Sequence, residues 1–242
     1  AHRALAREAA AASAVVLRNE GSMLPFAVGT IGRVAVLGRL AAVRNLGDGG
    51  SSDVRSTNVV TALDGIRRRF GAHRVEHSDD DASIAAGAYV VVVVVGYTKA
   101  DEGECIEAAG ADVLGRSVFP PVDHPTLGTG VPWTAPPDPV RPPAAPTDGG
   151  ADRMAPGGDR ASLRLSESDE ALIAAAAAEN DRVIVVVVGG SAVVMPWAST
   201  VPVILMTWYS GVEGGSALAD VLVGDVEPAT VTIRQSTARR PR

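Results

Sequence analysis

The sequence feature that most constrains the fold is an unbroken run of valines, Val90 to Val95, which ends at Gly96. Valine is stiff at its first side-chain torsion and favours the pleated surface of a strand, and the run is too short to cross a bilayer. A strand without polar residues on either face belongs in the middle of a parallel sheet that is covered on both sides. We therefore expect a buried central strand here.

Strand-like and helix-like patterns alternate on both sides of this run. Strands are predicted at 15–17, 33–38, from 75, at 182–190 and at 201–211. Helices are predicted at 4–14, 59–70, 82–88, 166–180 and 215–223. Such alternation is typical of strands joined by crossover helices. The sequence predicts an α/β fold, a three-layer sandwich with a mainly parallel sheet of five or six strands and helices on both faces.

One long stretch, 108–157, interrupts the alternation because it is crowded with proline and glycine and has no hydrophobic period. Such composition predicts a long loop or a disordered insertion. The alternation resumes beyond it, so we expect one domain over 1–228. The basic tail, 229–242, resembles a truncation or a shifted reading frame more than a folded element. Because the chain opens at Ala1 without an initiator methionine, we expect it to be part of a longer protein.

Composition excludes several classes of function. With 242 residues, 46% of them hydrophobic, the chain can bury a large core. Its net charge of -6 argues against a nucleic-acid partner, and no basic amphipathic stretch suits a membrane surface. The single cysteine, Cys105, allows no intrachain disulfide. His124 has no Cys or His partner at metal-ligand spacing, so we expect neither a metal nor another cofactor.

Three acids, Asp101, Glu102 and Glu104, follow the valine strand. In open α/β sheets ligands bind beyond the carboxyl ends of the strands, so acids at this place are candidates for a functional site. Acids in a loop are more often simply solvated, and spacing alone favours that interpretation.

A second loop, GDGGSS at 47–52, follows an earlier predicted strand and includes Ser51 and Ser52. Its glycines could cradle a phosphate at the start of a helix. The lysine of a phosphate-binding loop is missing, however, and the glycine spacing does not match the dinucleotide pattern. A flavodoxin-like nucleotide binder is therefore a weak alternative that rests on fold analogy.

Several blocks follow one another along the chain: VVLRNEGSMLPF, RVAVLG with GDGGSS, VVVVVGYTKADEGE, GGDRASLRL, VVVVGGSAVVMPW and ILMTWYSGVEGGSALADVLVGDVEP. Taken in this order, they resemble the second domain of glycoside hydrolase family 3, the β-glucosidase type. In that family a barrel domain with an Asp nucleophile comes first, and an α/β sandwich then lends a loop with the acid/base. The resemblance implies half an active site, a barrel in cis, and a β-glucoside or oligosaccharide substrate hydrolysed with retention.

The resemblance also implies roles for individual residues. Glu102 corresponds to the acid/base of the family's loop, with Glu104 as the second candidate and Asp101 as the third. The resemblance implies a role in substrate binding or loop positioning for five residues: Asp101, Ser51, Ser52, Asp159 and Arg160. For Asp159 and Arg160 a bidentate salt bridge that fixes the loop is favoured over direct sugar contact.

Three aromatic residues near the predicted strand ends, Trp197, Trp208 and Tyr209, could stack on a sugar ring, although core or interface packing is favoured. Glu213 is predicted to cap the last helix. The alternative function is a non-catalytic carbohydrate-binding module of the same fold, and the chain by itself is expected to be inactive.

Overall fold

The structure is a computed structural model that describes residues 1–27, 29, 31–47, 56, 58–102, 160 and 162–230. Its strands are β1 Val15–Asn19, β2 Val34–Leu37, β3 Val75–Ser78, β4 Val90–Gly96, β5 Val183–Val188, β6 Val203–Met206 and β7 Ala229–Thr230. Its helices are α1 His2–Ser13, α2 Ala62–Phe70, α3 Lys99–Glu102, α4 Glu167–Glu179 and α5 Gly214–Val223.

The strands form one sheet in the order β3-β2-β4-β5-β6-β1-β7. The pairs from β3 to β6 are all parallel, and β4 lies between β2 and β5 with every residue buried. The α/β fold and the buried valine strand are thus confirmed. The sheet of the described residues has seven strands rather than five or six, because the short β7, at the start of the predicted tail, pairs with β1. The predicted strand β1 pairs with β6 in the antiparallel direction. Hydrophobic pattern indicates a strand but not its direction.

The valine strand contributes to two separate cores. Val90, Val92 and Val94 face one core, which also contains side chains of α1, α2 and α5. Val91, Val93 and Val95 face the other, which is covered by α4 and the short turn at 82–85. Successive residues of a strand point to opposite faces, so both faces of β4 must be apolar. Full burial of each valine stabilises the fold by about 1.5 to 3 kcal/mol.

The helix starts follow local hydrogen bonding. Thr61 begins α2 with a capping box that it shares with Asp64. Ser166 begins α4, as predicted, and its hydroxyl accepts from the Asp169 amide at 3.1 Å. The Asp169 carboxylate faces the Gly96 amide at the end of β4, 3.5 Å away. This residue therefore joins α4 to the edge of the sheet where β4 ends.

Helix α1 is held against α5 by two ion pairs. The Arg7 guanidinium donates to both carboxylate oxygens of Asp220, each at 2.5 Å, and Arg3 pairs with Glu213. Glu213 stands at the N-cap position of α5, but its side chain makes no capping bond to the backbone. The prediction that Glu213 caps this helix is corrected: its carboxylate accepts from Ser216 at 2.8 Å and faces the α1 guanidinium.

None of the helices within the described ranges is long and apolar enough to span a membrane.

Candidate active site

The candidate site lies where β4 and β5 end, at the carboxyl edge of the sheet. After β4 the chain turns at Thr98, whose amide and hydroxyl donate to the Asp101 carboxylate at 2.8 and 3.0 Å. These bonds cap the single turn of α3, because an Asp three residues into a turn can accept from the residue that begins it. Asp101, one of the predicted site residues, thus shapes the turn that directs Glu102 towards the end of β5.

The Glu102 carboxylate is the centre of the hydrogen-bond network. Its Oε1 accepts from the Tyr209 hydroxyl at 2.6 Å and from the Gly190 amide, and its Oε2 lies 3.1 Å from Nε of Arg160. The Glu102 side chain is only 9% exposed. Both oxygens are therefore bonded within the domain, to groups from three separate parts of the chain.

The glycine pair after β5 leaves room for this carboxylate. A Cβ placed on Gly190 would lie 3.3 Å from Glu102 Oε1 and 3.3 Å from the Tyr209 ring. A Cβ on Gly189 would lie 3.0 Å from the Tyr97 ring. Side chains at these two positions would crowd the contacts that hold Glu102, so the close approach favours glycine.

Arg160 closes the other side of the network. Its guanidinium lies over the Tyr97 ring, 4.3 Å from the centroid, and donates to the Ala192 carbonyl at 3.3 Å and to the Ser191 hydroxyl. A planar guanidinium suits this combination of stacking and fork-like donation. Among the described residues, the carboxylate that pairs with Arg160 is that of Glu102, and the predicted pair with Asp159 stays a prediction. Asp159 lies outside the described residues.

A buried carboxyl group also lies near the end of β4. Asp169 is 7% exposed, and this burial raises its pKa, while the Gly96 amide and the charge of Arg39 act in the opposite direction. Burial also raises the pKa of Tyr97, whose hydroxyl donates to the Arg164 carbonyl at 2.7 Å. The edge of the sheet thus combines an ion-paired carboxylate with a desolvated one.

The three aromatic residues have different environments. Trp197 is buried in the core that α4 covers, as the packing interpretation expects. Trp208 is 38% exposed, has a backbone φ of 54°, and donates from its indole nitrogen to the Ser13 carbonyl at 3.0 Å. Tyr209 contacts Glu102, a role that the sequence did not indicate.

Of the predicted site residues, the structure brings together Glu102 and Arg160 and places Asp101 beside them. Ser51, Ser52, Glu104 and Asp159 lie outside the described residues, so their roles stay predictions. Gly190, Tyr97 and Tyr209 were not predicted to contact the site. The signal for Gly190 was a glycine pair directly after an apolar strand, which marks a close approach.

Within the part of the chain that the structure describes, no three His, Cys, Asp or Glu side chains are grouped so as to hold a metal ion.

The fold and this edge define an α/β sandwich domain that presents carboxylates beyond the end of a central parallel strand, where such sheets bind polar ligands. A family model described as the glycosyl hydrolase family 3 C-terminal domain matches residues 14–241. The chain belongs to this family.

Relatives of known activity support the same assignment. A β-glucosidase of Bacteroides ovatus is 31% identical over 238 residues, which cover 94% of this chain and 28% of the relative. An exo-α-(1→6)-L-arabinopyranosidase of Bifidobacterium longum is 29% identical over 95% of this chain and 26% of the relative. The solved family 3 β-glucosidase of Bifidobacterium adolescentis has a TM-score of 0.62 at 26% identity, over 94% of this chain and 27% of that one. The chain thus spans little more than a quarter of each relative.

Proposed function

We propose that the chain is the domain that bears the acid/base loop in a retaining β-glucosidase-like hydrolase, which cleaves terminal β-D-glucosidic bonds. The observation that carries this proposal is the carboxylate loop after β4, which Asp101 and Glu102 begin, in a chain similar over 94% of its length to a β-glucosidase. Fold likeness by itself would support only the architecture.

The chemistry explains how one loop can be half of the active site. Retaining glycosidases use two carboxyl groups about 5 to 5.5 Å apart, one as nucleophile and one that first protonates the leaving oxygen and then activates water. In our proposal this chain supplies the second group, and a barrel domain joined in cis supplies the nucleophile and most of the sugar contacts. Because the isolated chain lacks the nucleophile, it cannot stabilise the transition state and is inactive.

Two carboxylates remain candidates for the acid/base. Glu102 is the first candidate, and Glu104 is the alternative two positions later on the same loop. Ser51, Ser52 and Asp159 are proposed to face the substrate or to position the loops around it. No cofactor takes part in this chemistry, because proton transfer and attack by a carboxylate suffice.

The relatives suggest which substrates to compare. Their names include a β-glucosidase, an exo-α-(1→6)-L-arabinopyranosidase and a β-xylosidase of Formosa agariphila, which is 28% identical over 94% of this chain. The glycosides to which these three names refer all hold the leaving group in an equatorial position. They differ in the other substituents of the sugar ring. We propose β-D-glucosides as the substrate because a relative that is 31% identical over 94% of this chain is a β-glucosidase.

The test uses the complete protein expressed from its gene and the isolated chain as a matched control. Both are assayed with the 4-nitrophenyl β-D-glucoside, β-D-xyloside and α-L-arabinopyranoside. We expect the complete protein to hydrolyse the β-D-glucoside at least about 10-fold more efficiently, in kcat/KM, than the other two, which corresponds to about 1.4 kcal/mol. The isolated chain should release no nitrophenol.

Two results would contradict this proposal. Calorimetric binding of glucose or cellobiose without turnover by the complete protein would favour the carbohydrate-binding module. Turnover confined to the xyloside or the arabinopyranoside would keep the reaction class but remove the β-glucoside as substrate.

A further inference from the structure

We propose that Asp169 is a positioning residue of the candidate active site, which holds the end of β4 and thereby sets the direction of the turn that carries Asp101 and Glu102. This inference rests on the proposed function, because it explains how a carboxylate of that site is aimed. Asp169 is not itself a catalytic residue. Its part is to accept a hydrogen bond from the backbone amide of Gly96.

The backbone of Gly96, where β4 ends, needs an acceptor from outside the sheet. The Tyr97 amide donates to the Val188 carbonyl of β5 at 2.9 Å, so the preceding amide, that of Gly96, faces the other side of β4. On that side the pairing of β2 with β4 ends at Leu37. The Gly96 amide therefore has no neighbouring strand in the described sheet to donate to, although it is buried. The Asp169 carboxylate, 3.5 Å away, supplies the acceptor.

The turn beyond Gly96 starts from a backbone conformation that glycine adopts readily and other residues do not. Its φ is 134°, and a Cβ at this position would lie 1.9 Å from a carbonyl oxygen of β5. The next carbonyl, that of Tyr97, accepts from the Asn45 side chain at 2.7 Å. Asp169 and Asn45 thus hold two consecutive residues at the point where the chain turns towards Glu102.

A comparison with α2 shows that the Asp169 carboxylate is not used to cap its own helix. Asp64 occupies the same position in α2, three residues after the N-cap, and its carboxylate accepts from the Thr61 amide at 3.2 Å to close a capping box. In α4 the Ser166 hydroxyl accepts from the Asp169 amide, but the Asp169 carboxylate extends to Gly96. The same residue type at the same helical position therefore serves the helix in α2 and the edge of the sheet in α4.

The burial of Asp169 is a cost that the helix does not require. This burial raises its pKa, whereas the Gly96 amide, the charge of Arg39 and the Ser166 hydroxyl lower it, and the charge of Asp101 raises it. Two other acids in the first turn of α4 are more exposed and already face the positive end of the helix dipole. The contact with the end of β4 is therefore the reason for a carboxylate at this buried position.

The test compares variants of the complete protein in the hydrolysis of 4-nitrophenyl β-D-glucoside. Asp169→Asn keeps an oxygen that can accept from the Gly96 amide. Asp169→Ala and Asp169→Leu both remove the acceptor, and the second fills the buried space, so that a folded variant without an acceptor is at hand. Asp64→Ala is the matched control, because it removes the acid from the equivalent position of α2. All assays are run well below the Tm of the least stable variant.

We expect Asp169→Ala and Asp169→Leu to lower kcat by about 10- to 100-fold, since a displacement of about 1 Å can cost about 100-fold in rate. KM should stay within about 3-fold of the wild type, because in the proposed function the barrel domain makes most of the sugar contacts. Asp169→Asn should keep kcat within about 3-fold. Asp64→Ala should lower Tm but leave kcat unchanged, which separates positioning from a loss of helix stability.

Hydrogen exchange followed by mass spectrometry is the second measurement, and it requires no activity. In Asp169→Ala the peptide that spans Gly96 to Glu102 should exchange about 10-fold faster than in the wild type, because the turn has lost a contact at its base. In Asp169→Asn this peptide should exchange at the wild-type rate. In Asp64→Ala faster exchange should be confined to α2.

Wild-type kcat in a folded Asp169→Ala or Asp169→Leu variant would overturn the proposal. An equal loss of kcat in Asp169→Asn would overturn it as well, because the acceptor would then not be what positions the turn. If the wild type does not hydrolyse the glucoside, the proposed function fails instead. Exchange then decides whether Asp169 holds the turn: faster exchange in Asp169→Ala but not in Asp169→Asn supports it, and unchanged exchange in Asp169→Ala refutes it.

Discussion

The hydroxyl of Tyr209 donates a hydrogen bond of 2.6 Å to Glu102, although 107 positions separate the two residues in the sequence. Glu102 follows β4 and Tyr209 follows β6, and parallel strands bring their carboxyl ends to the same edge of a sheet. The sheet thus assembles the surroundings of the carboxylate from segments that no local pattern connects.

Loss of this hydroxyl should be measurable in stability. Tyr209→Phe removes a donor to the partly buried Glu102 carboxylate, which also pairs with Arg160, so we expect the free energy of unfolding to fall by about 1.5 to 3 kcal/mol. Denaturant unfolding measures the change. Tyr89→Phe is the control, because the Tyr89 ring stacks against Arg182 at 4.3 Å and no hydrogen bond of its hydroxyl is seen among the described residues. Equal losses in both variants would mean that the Tyr209 hydroxyl contributes nothing specific.

The contact between α2 and α5 should tolerate no added methyl group. A Cβ on Gly65 would lie 1.9 Å from the Gly215 carbonyl oxygen, so the helices must separate to admit it. We expect Gly65→Ala to lower the free energy of unfolding by about 3 kcal/mol, the upper end for overpacking. Gly47→Ala is the control, since a Cβ there meets nothing within 4 Å. A loss below 1 kcal/mol in Gly65→Ala would contradict the packing described here.

The ion pair that fastens α1 should contribute more than a pair at the surface. Asp220 has 7% of its side chain exposed and receives both Arg7 bonds, whereas Glu76 is 49% exposed where it meets Arg33. We expect Asp220→Asn to cost about 1 to 2 kcal/mol, a value reduced because Arg7 is itself half exposed. Glu76→Gln should cost less than about 0.5 kcal/mol. Chemical denaturation of both variants checks the difference, and similar costs would contradict it.

Asp169 should make stability depend on pH in a direction set by its burial. Because burial raises its pKa above the ordinary 3.8, the folded state holds the proton more tightly than the unfolded state. Its contribution is therefore most favourable below 3.8 and is lost as the pH rises through the folded pKa. Asp169→Asn stays neutral, so its Tm relative to the wild type should increase as the pH rises above 4.

Asp81 serves as a control of opposite sign for this effect. Hydrogen bonds from Ser83, the side-chain bond first, lower its pKa, so its contribution is present above its ordinary pKa and lost as the pH falls. Asp81→Asn should therefore lose stability, relative to the wild type, as the pH rises from below the folded pKa of Asp81 to its ordinary 3.8, and the difference should stay level above 4. A flat difference between Asp169→Asn and the wild type across this range would contradict the assignment to Asp169.

Much of the fold could be predicted because its signals are local. The valine run indicated a strand buried on both faces, and Ser166 indicated the start of α4. The direction of β1 could not be predicted, since apolar residues at 15–17 suit either direction of pairing. Glu213 also misled, because a nearby arginine of α1 competes for its carboxylate and no local pattern reveals that competitor.

The candidate site was predictable only in part, because local patterns do not show which distant segments meet. The position of Glu102 after a central strand indicated its importance, and Arg160 was expected to fix the loop. The partner of Arg160 depends on which distant segments of the chain meet in space. The sheet determines this meeting, and the sequence between the two segments does not. The contact of Gly190 with the carboxylate likewise follows from the parallel pairing of β4 with β5.

The central claim is that this domain belongs to a hydrolase that uses a carboxylate of the loop after β4 as the acid/base of a retaining reaction. The most direct measurement follows the anomeric proton signals of the sugar by NMR while the complete protein hydrolyses an aryl β-D-glucoside. The account predicts that β-glucose forms first and then mutarotates, because two displacements restore the configuration. Initial formation of α-glucose, or no hydrolysis, would contradict it.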